Sequence, residues 1–342
     1  MAMLTWKDFL HLRKNLPLID VRSQSEYAEG HVDSAINIPL LNDEERVVVG
    51  TTYKQQGQLS AIHEGFRLVG PRLHEIISEV EQHVPQKEAI VHCWRGGMRS
   101  SNFAQFIGMA KVKSHVLEGG YKTYRQKAFE SFAQPFHFWA ITGFTGSGKS
   151  EILRALKSMG EQVIDLEKLA NHKGSAFGAI NMPNQPTTEQ FQNDLFETIL
   201  ALDVSKPIWI EDESIAIGKI FLPNDLWKRM HASTLVRVNL DKRLRVIRLA
   251  REYRTADKAT FLQALENITN KLGGQHFKKA YELVLQDDWE GAIDIILTYY
   301  DKAYRNSIEK RKDKLMLELT WEGESVREMA AELVMKAKGM IN

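Results

Sequence analysis

Only one cysteine occurs in the chain, Cys93, and it lies in the run Val91-His92-Cys93-Trp94-Arg95-Gly96-Gly97-Met98-Arg99-Ser100. A thiol is a nucleophile only as its thiolate, and a free cysteine is mostly protonated at neutral pH. A loop that curls around the sulfur, offers it N–H donors and opens a helix favours the anion. Gly96 and Gly97 are the residues expected to permit the curl. Arg95 and Arg99 add positive charge and are suited to gripping an oxyanion through paired hydrogen bonds. An inert buried cysteine requires none of these neighbours.

A second run, Gly143-Phe144-Thr145-Gly146-Ser147-Gly148-Lys149-Ser150, matches G-x-x-x-x-G-K-[ST] between an apolar strand and an amphipathic helix. In such a loop the backbone N–H groups face phosphates, Lys149 neutralises charge and Ser150 is placed to bind Mg²⁺. A thiolate and a phosphate cradle on one chain imply group transfer in which one substrate carries a phosphate or diphosphate. The acidic partner of a Mg²⁺ ion is expected at the end of a neighbouring strand. Trp209-Ile210-Glu211-Asp212-Glu213-Ser214 offers three acids there, and the sequence does not choose among Glu211, Asp212 and Glu213. Asp165 and Glu167 end an earlier strand, at the edge where open α/β sheets bind ligands.

The elements that must carry these loops alternate. Apolar runs over Leu16–Arg22, Ala35–Pro39, Ala89–His92 and Val116–Gly120 read as strands, with a helix over Ser100–Ala110 between the last two. A boundary falls near residue 133, giving domains 1–132 and 133–342. In the second, Phe138–Thr142, Gln162–Leu166, Pro207–Glu211 and Thr234–Leu240 read as strands, and Glu151–Met159 as a helix stopped by Gly160. From Asp241 onward the pattern reads as helical, with a C-terminal helical region from about residue 256. Alternating strands and helices imply mostly parallel α/β sheets.

The chain has 342 residues, 43% of them hydrophobic and a net charge of +1, as expected for two ordinary globular domains. It shows no apolar run of membrane-spanning length and no signal-peptide pattern. One cysteine excludes an intramolecular disulfide, which fits a cytoplasmic setting. A monomer is compatible with the sequence. Basic residues cluster at Lys242–Arg254, including Arg245, Arg248 and Arg251, and again at Lys302–Lys314. Each cluster reads either as a solvated helix face or as a polyanion-binding surface.

Leu18-Ile19-Asp20-Val21-Arg22 with Ser25-Glu26-Tyr27, Gly30-His31-Val32, Ala35–Pro39 and Leu117–Tyr121 resembles a rhodanese domain over roughly residues 4–128. The resemblance implies that Cys93 carries sulfur or selenium as a persulfide or perselenide. One departure is informative. Single-domain rhodaneses commonly read Cys-x4-Arg, whereas this chain reads Cys-x5-Arg, followed by Ser100. That longer spacing is shared with cysteine-dependent phosphatases and admits a tetrahedral oxyanion.

The two loops together, with Gly50–Gly57, Asp165–Gly178, Gln185–Phe191 and Ile210–Ser214, make the chain similar to the bacterial tRNA 2-selenouridine synthase family. That resemblance implies replacement of sulfur in a tRNA wobble 2-thiouridine by selenium, with selenophosphate as donor. It also implies geranylation of the same sulfur by geranyl diphosphate. The implied partners are tRNA and, as the source of the donor, selenophosphate synthetase; no cofactor is tightly bound and Mg²⁺ is compatible with the P-loop. Arg245, Arg248 and Arg251 are then candidate tRNA contacts. Other readings are a rhodanese-type sulfurtransferase, a cysteine phosphatase fused to a kinase-like domain, or a non-catalytic anion sensor fused to a nucleotide switch.

Overall fold

The structure, a computed structural model, describes residues 2–323 and 325–340, apart from the side chains of residues 306 and 307. The chain divides after Ser131 into two compact units. Both are α/β, each built on a five-stranded sheet in which every neighbouring pair is parallel.

In the first unit the strands are β1 (Ala2–Leu4), β2 (Leu18–Asp20), β3 (Ile36–Asn37), β4 (Glu88–His92) and β5 (Lys113–Leu117), in the order β1-β5-β4-β2-β3. Strands of a parallel sheet covered on both faces carry continuous apolar runs, and Ala89, Ile90 and Val91 of β4 are completely buried. After β3 at one edge, the chain crosses back to lay β4 beside β2. The carboxyl ends of β2 and β4 therefore form the crevice where such sheets bind ligands, and β4 delivers Cys93 there. The unit closes with the helix Gly120–Phe132. Its period lies in Tyr121, Tyr124, Ala128 and Phe132, all buried at helical spacing.

The second unit contains β6 (Phe138–Thr142), β7 (Val163–Ile164), β8 (Ile208–Glu211), β9 (Ala216–Ile217), β10 (Ile220–Phe221), β11 (Thr234–Leu240) and β12 (Leu315–Trp321). Its main sheet runs β12-β11-β6-β8-β7, and β9 and β10 form a small antiparallel ribbon. The P-loop strand β6 thus lies directly beside β8, whose end carries the acidic run. Helices follow β11, as expected, and pack a separate core around Tyr253, Phe261, Trp289, Ile293 and Leu297. The purely helical reading of this region needs one correction. Leu315–Trp321 returns to the sheet as β12 and pairs with β11. Its alternation of buried Leu317, Leu319 and Trp321 with exposed Glu318 and Thr320 is a strand period of two.

Candidate active site

Cys93 leaves β4 at 3% exposure, and its Sγ lies 3.3 Å from Ser100 Oγ, which itself donates to the Gly97 carbonyl at 3.0 Å. The backbone N–H groups from Trp94 to Arg99 donate to no acceptor among the described residues. They form an open arc ahead of the helix Met98–Met109, a concave site of the kind that binds anions. The Gly119-Gly120 turn holds the arc from behind: Tyr121 N–H donates to the Cys93 carbonyl at 2.9 Å and Lys122 N–H to that of Trp94 at 2.8 Å. Gly96 has φ +63°, and a Cβ there would meet the Leu117 carbonyl oxygen at 2.6 Å. Gly97 has negative φ and open space around it, so the curl depends on one glycine, not two.

The two arginines of this loop part ways. Arg95 is exposed and has no partner among the described residues. Arg99 is gripped by Glu26 through contacts of 2.5 and 3.1 Å. Burial works to raise the Glu26 pKa, but the hydrogen bond and charge of Arg99 outweigh it and hold the carboxyl below its usual range. Sequence reading missed Glu26. Its signal was position: it opens the helix after β2, at the same crevice as Cys93. Behind the loop, Asp20 and Arg22 form a buried pair at 2.6 Å, and the Arg22 guanidinium stacks 3.8 Å over the Tyr121 ring. His92 is fully buried beside them. Its burial outweighs the nearby Asp20 charge and lowers its pKa, so it is neutral at pH 7.

In the second unit the P-loop joins β6 to the helix Lys149–Ser158. Lys149 is 8% exposed, with Nζ 3.2 Å from the Gly143 carbonyl. Gly148, at φ +84°, lies so close to Trp321 that a Cβ would come within 2.4 Å of the ring. Thr145 Oγ1 and Ser147 Oγ are buried with no hydrogen-bond partner, and the N–H groups of Gly146, Gly148 and Lys149 are likewise open among the described residues. Orphaned donors around a lysine are what a bound phosphate would satisfy.

The acids separate by partner. Ser150 Oγ donates to Glu167 at 2.6 Å. Asp212 is committed to Arg311 by two contacts of 2.8 and 2.6 Å. Glu211 is completely buried and accepts the Leu166 N–H at 2.6 Å; burial first, then the charges of Asp165, Glu167 and Glu213, push its pKa well up. Glu213 is pushed up to about 8, by burial and then by Glu167, with Lys149 opposing. Asp165 caps the Lys168 N–H at 2.9 Å. Among the described residues no three acidic, histidine or cysteine side chains converge to hold a metal ion. Mg²⁺ still fits, because it favours oxygen ligands and takes one or two carboxylates plus phosphate and water. Ser150 and Glu167 are the side chains that would hold it.

Lys149, Ser150, Asp165 and Glu167 line a cleft of about 710 Å³ that also takes in Lys173, Arg248, Arg251 and Tyr304, whereas Glu211, Asp212 and Glu213 do not line it. Thr145, Ser175, Leu249 and Tyr253 also border an apolar recess of about 10 Å³, no larger than one water, walled by Phe177, Phe261, Ile293, Ile296, Leu297 and Tyr300. The arginines of the helix Lys242–Tyr253 differ in kind. Arg245 is a correction to the sequence reading: it is 3% exposed and bound to Asp301 at 2.8 and 2.7 Å and to the Thr145 carbonyl at 3.2 Å. A guanidinium so enclosed braces the P-loop and is not a surface contact for RNA. Arg248 pairs with Glu151 and lies 4.9 Å over Trp321, and Arg251 is exposed with no partner among the described residues.

Residues 136–336 match the family model described as the tRNA 2-selenouridine synthase AAA domain, and residues 5–127 match the rhodanese-like domain. The chain belongs to the tRNA 2-selenouridine synthase family. A member from Nitrosomonas europaea is 32% identical over 86% of this chain and 90% of its own length. Members from Hydrogenovibrio crunogenus and Marinobacter nauticus are each 34% identical, over 88% and 91% of this chain and 92% and 93% of theirs. Membership makes the protein an enzyme, and it places the cysteine loop in the rhodanese-like part and the P-loop in the family's own domain. No helix among the described residues is long and apolar enough to cross a membrane.

Proposed function

We propose that this enzyme converts 2-thiouridine of tRNA to 2-selenouridine in two steps, using geranyl diphosphate and then selenophosphate. The observation that carries the diphosphate step is the P-loop cleft of about 710 Å³, in which Lys149 and Ser150 share one space with the apolar side chains of Met182, Leu249 and Tyr253. A cradle of open donors in a cleft of that size has room for a diphosphate and the chain it carries.

In the first step the tRNA sulfur attacks the first carbon of the donor. The C–S bond forms, the C–O bond breaks, and diphosphate leaves into the P-loop. Lys149 and the open N–H groups would stabilise the departing charge, and Mg²⁺, if held by Ser150 and Glu167, would supply further positive charge. Alkylation prepares the second step, because a thiocarbonyl leaves poorly and an alkylated sulfur leaves as a neutral thiol.

The cysteine loop serves the selenium. The selenium of selenophosphate is already fully reduced, so a perselenide on Cys93 would need an oxidant. The balanced alternative is attack of the Cys93 thiolate on phosphorus. The S–P bond forms, the P–Se bond breaks, and selenide is released to displace geranylthiol from the base; water then frees phosphate from the cysteine. Support comes from the Cys-x5-Arg spacing, the open arc of N–H donors and Ser100 beside the sulfur. Arg95 and Arg99 would hold the phosphate, with Glu26 fixing Arg99. Arg248 and Arg251 would meet the RNA backbone.

Nucleoside mass spectrometry on tRNA incubated with the protein and each combination of donors tests this reading. Selenation should require selenophosphate and either geranyl diphosphate or pre-geranylated tRNA. Full selenation of 2-thiouridine tRNA by selenophosphate alone would sink it.

A further inference from the structure

A second apolar pocket lies in the first unit, beside the cysteine loop and separate from its anion-binding arc. Its volume is about 110 Å³, and its walls include Val49, Ala61, Phe66, Met98 and Phe106. The only polar side chains on it are Tyr53, Arg99 and Asn102. Two helices, Asp43–Gln56 and Gln58–Val69, build it out from the sheet. At the rim Tyr53 is 52% exposed, Phe66 57% and Met98 44%, which is unusual exposure for large apolar side chains next to a reactive centre.

Met98 joins the pocket to the chemistry. It is the last of the five residues between Cys93 and Arg99, and Gln58 Nε2 donates to its sulfur at 3.4 Å. The Arg99 guanidinium is turned to Glu26, and the residue also lines the pocket. The pocket and the cysteine loop therefore share Met98 and Arg99. With the Arg99 guanidinium turned to Glu26 and most of the walls aliphatic or aromatic, the lining offers the polar edges of a base or a ribose few partners, and such groups would be desolvated at a cost. Apolar cavities of about 150 Å³ take up a ligand the size of benzene, so this one fits roughly one five-carbon isoprene unit. The exposed rim gives a longer chain further apolar surface. A protein partner would need on the order of 1,000 Å² of total interface, far more than this pocket and its rim supply.

We propose that this pocket binds the terpenoid chain on the sulfur of the tRNA base. It thereby selects alkylated over unalkylated tRNA at the cysteine loop and aims the C2–S bond at the selenium source. The proposal rests on the reading above that an S-geranylated base is the substrate of the second step. It adds that the alkyl chain is recognised in the rhodanese-like unit, apart from the P-loop cleft that would hold the same chain on its diphosphate.

Binding of synthetic anticodon stem-loops to the full chain, without donors, tests it. The RNAs carry 2-thiouridine or its S-methyl, S-dimethylallyl or S-geranyl derivative. Affinity should rise along that series, with S-geranyl RNA bound about tenfold or more tighter than S-methyl RNA, as burial of several methylene-sized groups implies. Ala61→Trp, which fills the pocket, should abolish the preference while S-methyl RNA binds as before and geranyl diphosphate is still used. Phe66→Ser, at an exposed position that does not threaten folding, should reduce the preference several-fold.

Equal affinity for S-methyl and S-geranyl RNA in the wild-type protein, or an undiminished preference in Phe66→Ser, would overturn the proposal. So would a Phe66→Ser variant that only converts a dimer to a monomer in sedimentation, which would give this face to a second copy of the chain. The two-step reading fails differently, through selenation without geranyl diphosphate, and these binding measurements do not depend on turnover.

Discussion

Arg245 is enclosed by Asp301 and the Thr145 carbonyl, whereas Arg251, on the same helix, is exposed. The two should respond differently to the same change. Arg245→Gln leaves Asp301 without its partner and loosens the P-loop, at a cost of about 3–5 kcal/mol typical of breaking a buried pair. Urea unfolding reads that loss directly. Arg251→Gln should leave stability unchanged and flatten the dependence of tRNA affinity on salt by roughly one unit of slope. An unchanged slope would return Arg251 to the solvated face. Glu213 makes a pH prediction. Its carboxyl titrates at about 8 when folded, against 4.5 in its ordinary state. Between those values the folded chain keeps a proton that the unfolded chain has released, so this group's contribution falls as pH rises from 4.5 towards 8. Glu213→Gln keeps the neutral form permanently. Its Tm relative to wild type should therefore improve steadily from pH 5 to pH 8, and a constant difference would show that Glu213 does not carry the buried proton.

The cysteine loop shows how much an element reveals before it is folded. Its residue types pointed to a cysteine in a tight turn, and β4 and the helix Met98–Met109 flank it where the apolar pattern placed them. Partners distant in sequence were illegible. Glu26 reaches Arg99 only because β2 and β4 are neighbours, and no local pattern encodes that pairing. Arg245 looked like its basic neighbours because charge counts carry no burial. Strand β12 was overlooked for a different reason: its alternating period was present but surrounded by helices. Spacing alone could not separate the three acids at the end of β8, because what distinguishes them is Arg311, Leu166 and Lys149, drawn from other parts of the fold. The loop's own glycines give a sharp test. Gly96→Ala forces a side chain to φ +63° and into the Leu117 carbonyl, costing about 1–3 kcal/mol in the range for strained backbone. Gly97→Ala has neither problem and should lie within about 0.5 kcal/mol of wild type. Equal losses for the two in thermal or urea unfolding would contradict the arrangement of the arc.

At the scale of the whole molecule, two compact units each present a loop of open N–H donors at the carboxyl edge of a parallel sheet, and each loop adjoins an apolar recess. The account assigns alkylation to the unit with Lys149 and selenium transfer to the unit with Cys93. The assignments predict opposite lesions. Cys93→Ser should lose selenation and keep geranylation, because alkylation uses the tRNA sulfur as nucleophile. The most direct test is nucleoside mass spectrometry with folded Lys149→Ala protein, supplied in parallel with 2-thiouridine tRNA plus geranyl diphosphate and with pre-geranylated tRNA plus selenophosphate. The account predicts no S-geranyl product in the first reaction and 2-selenouridine in the second. Equal loss of both activities would contradict it.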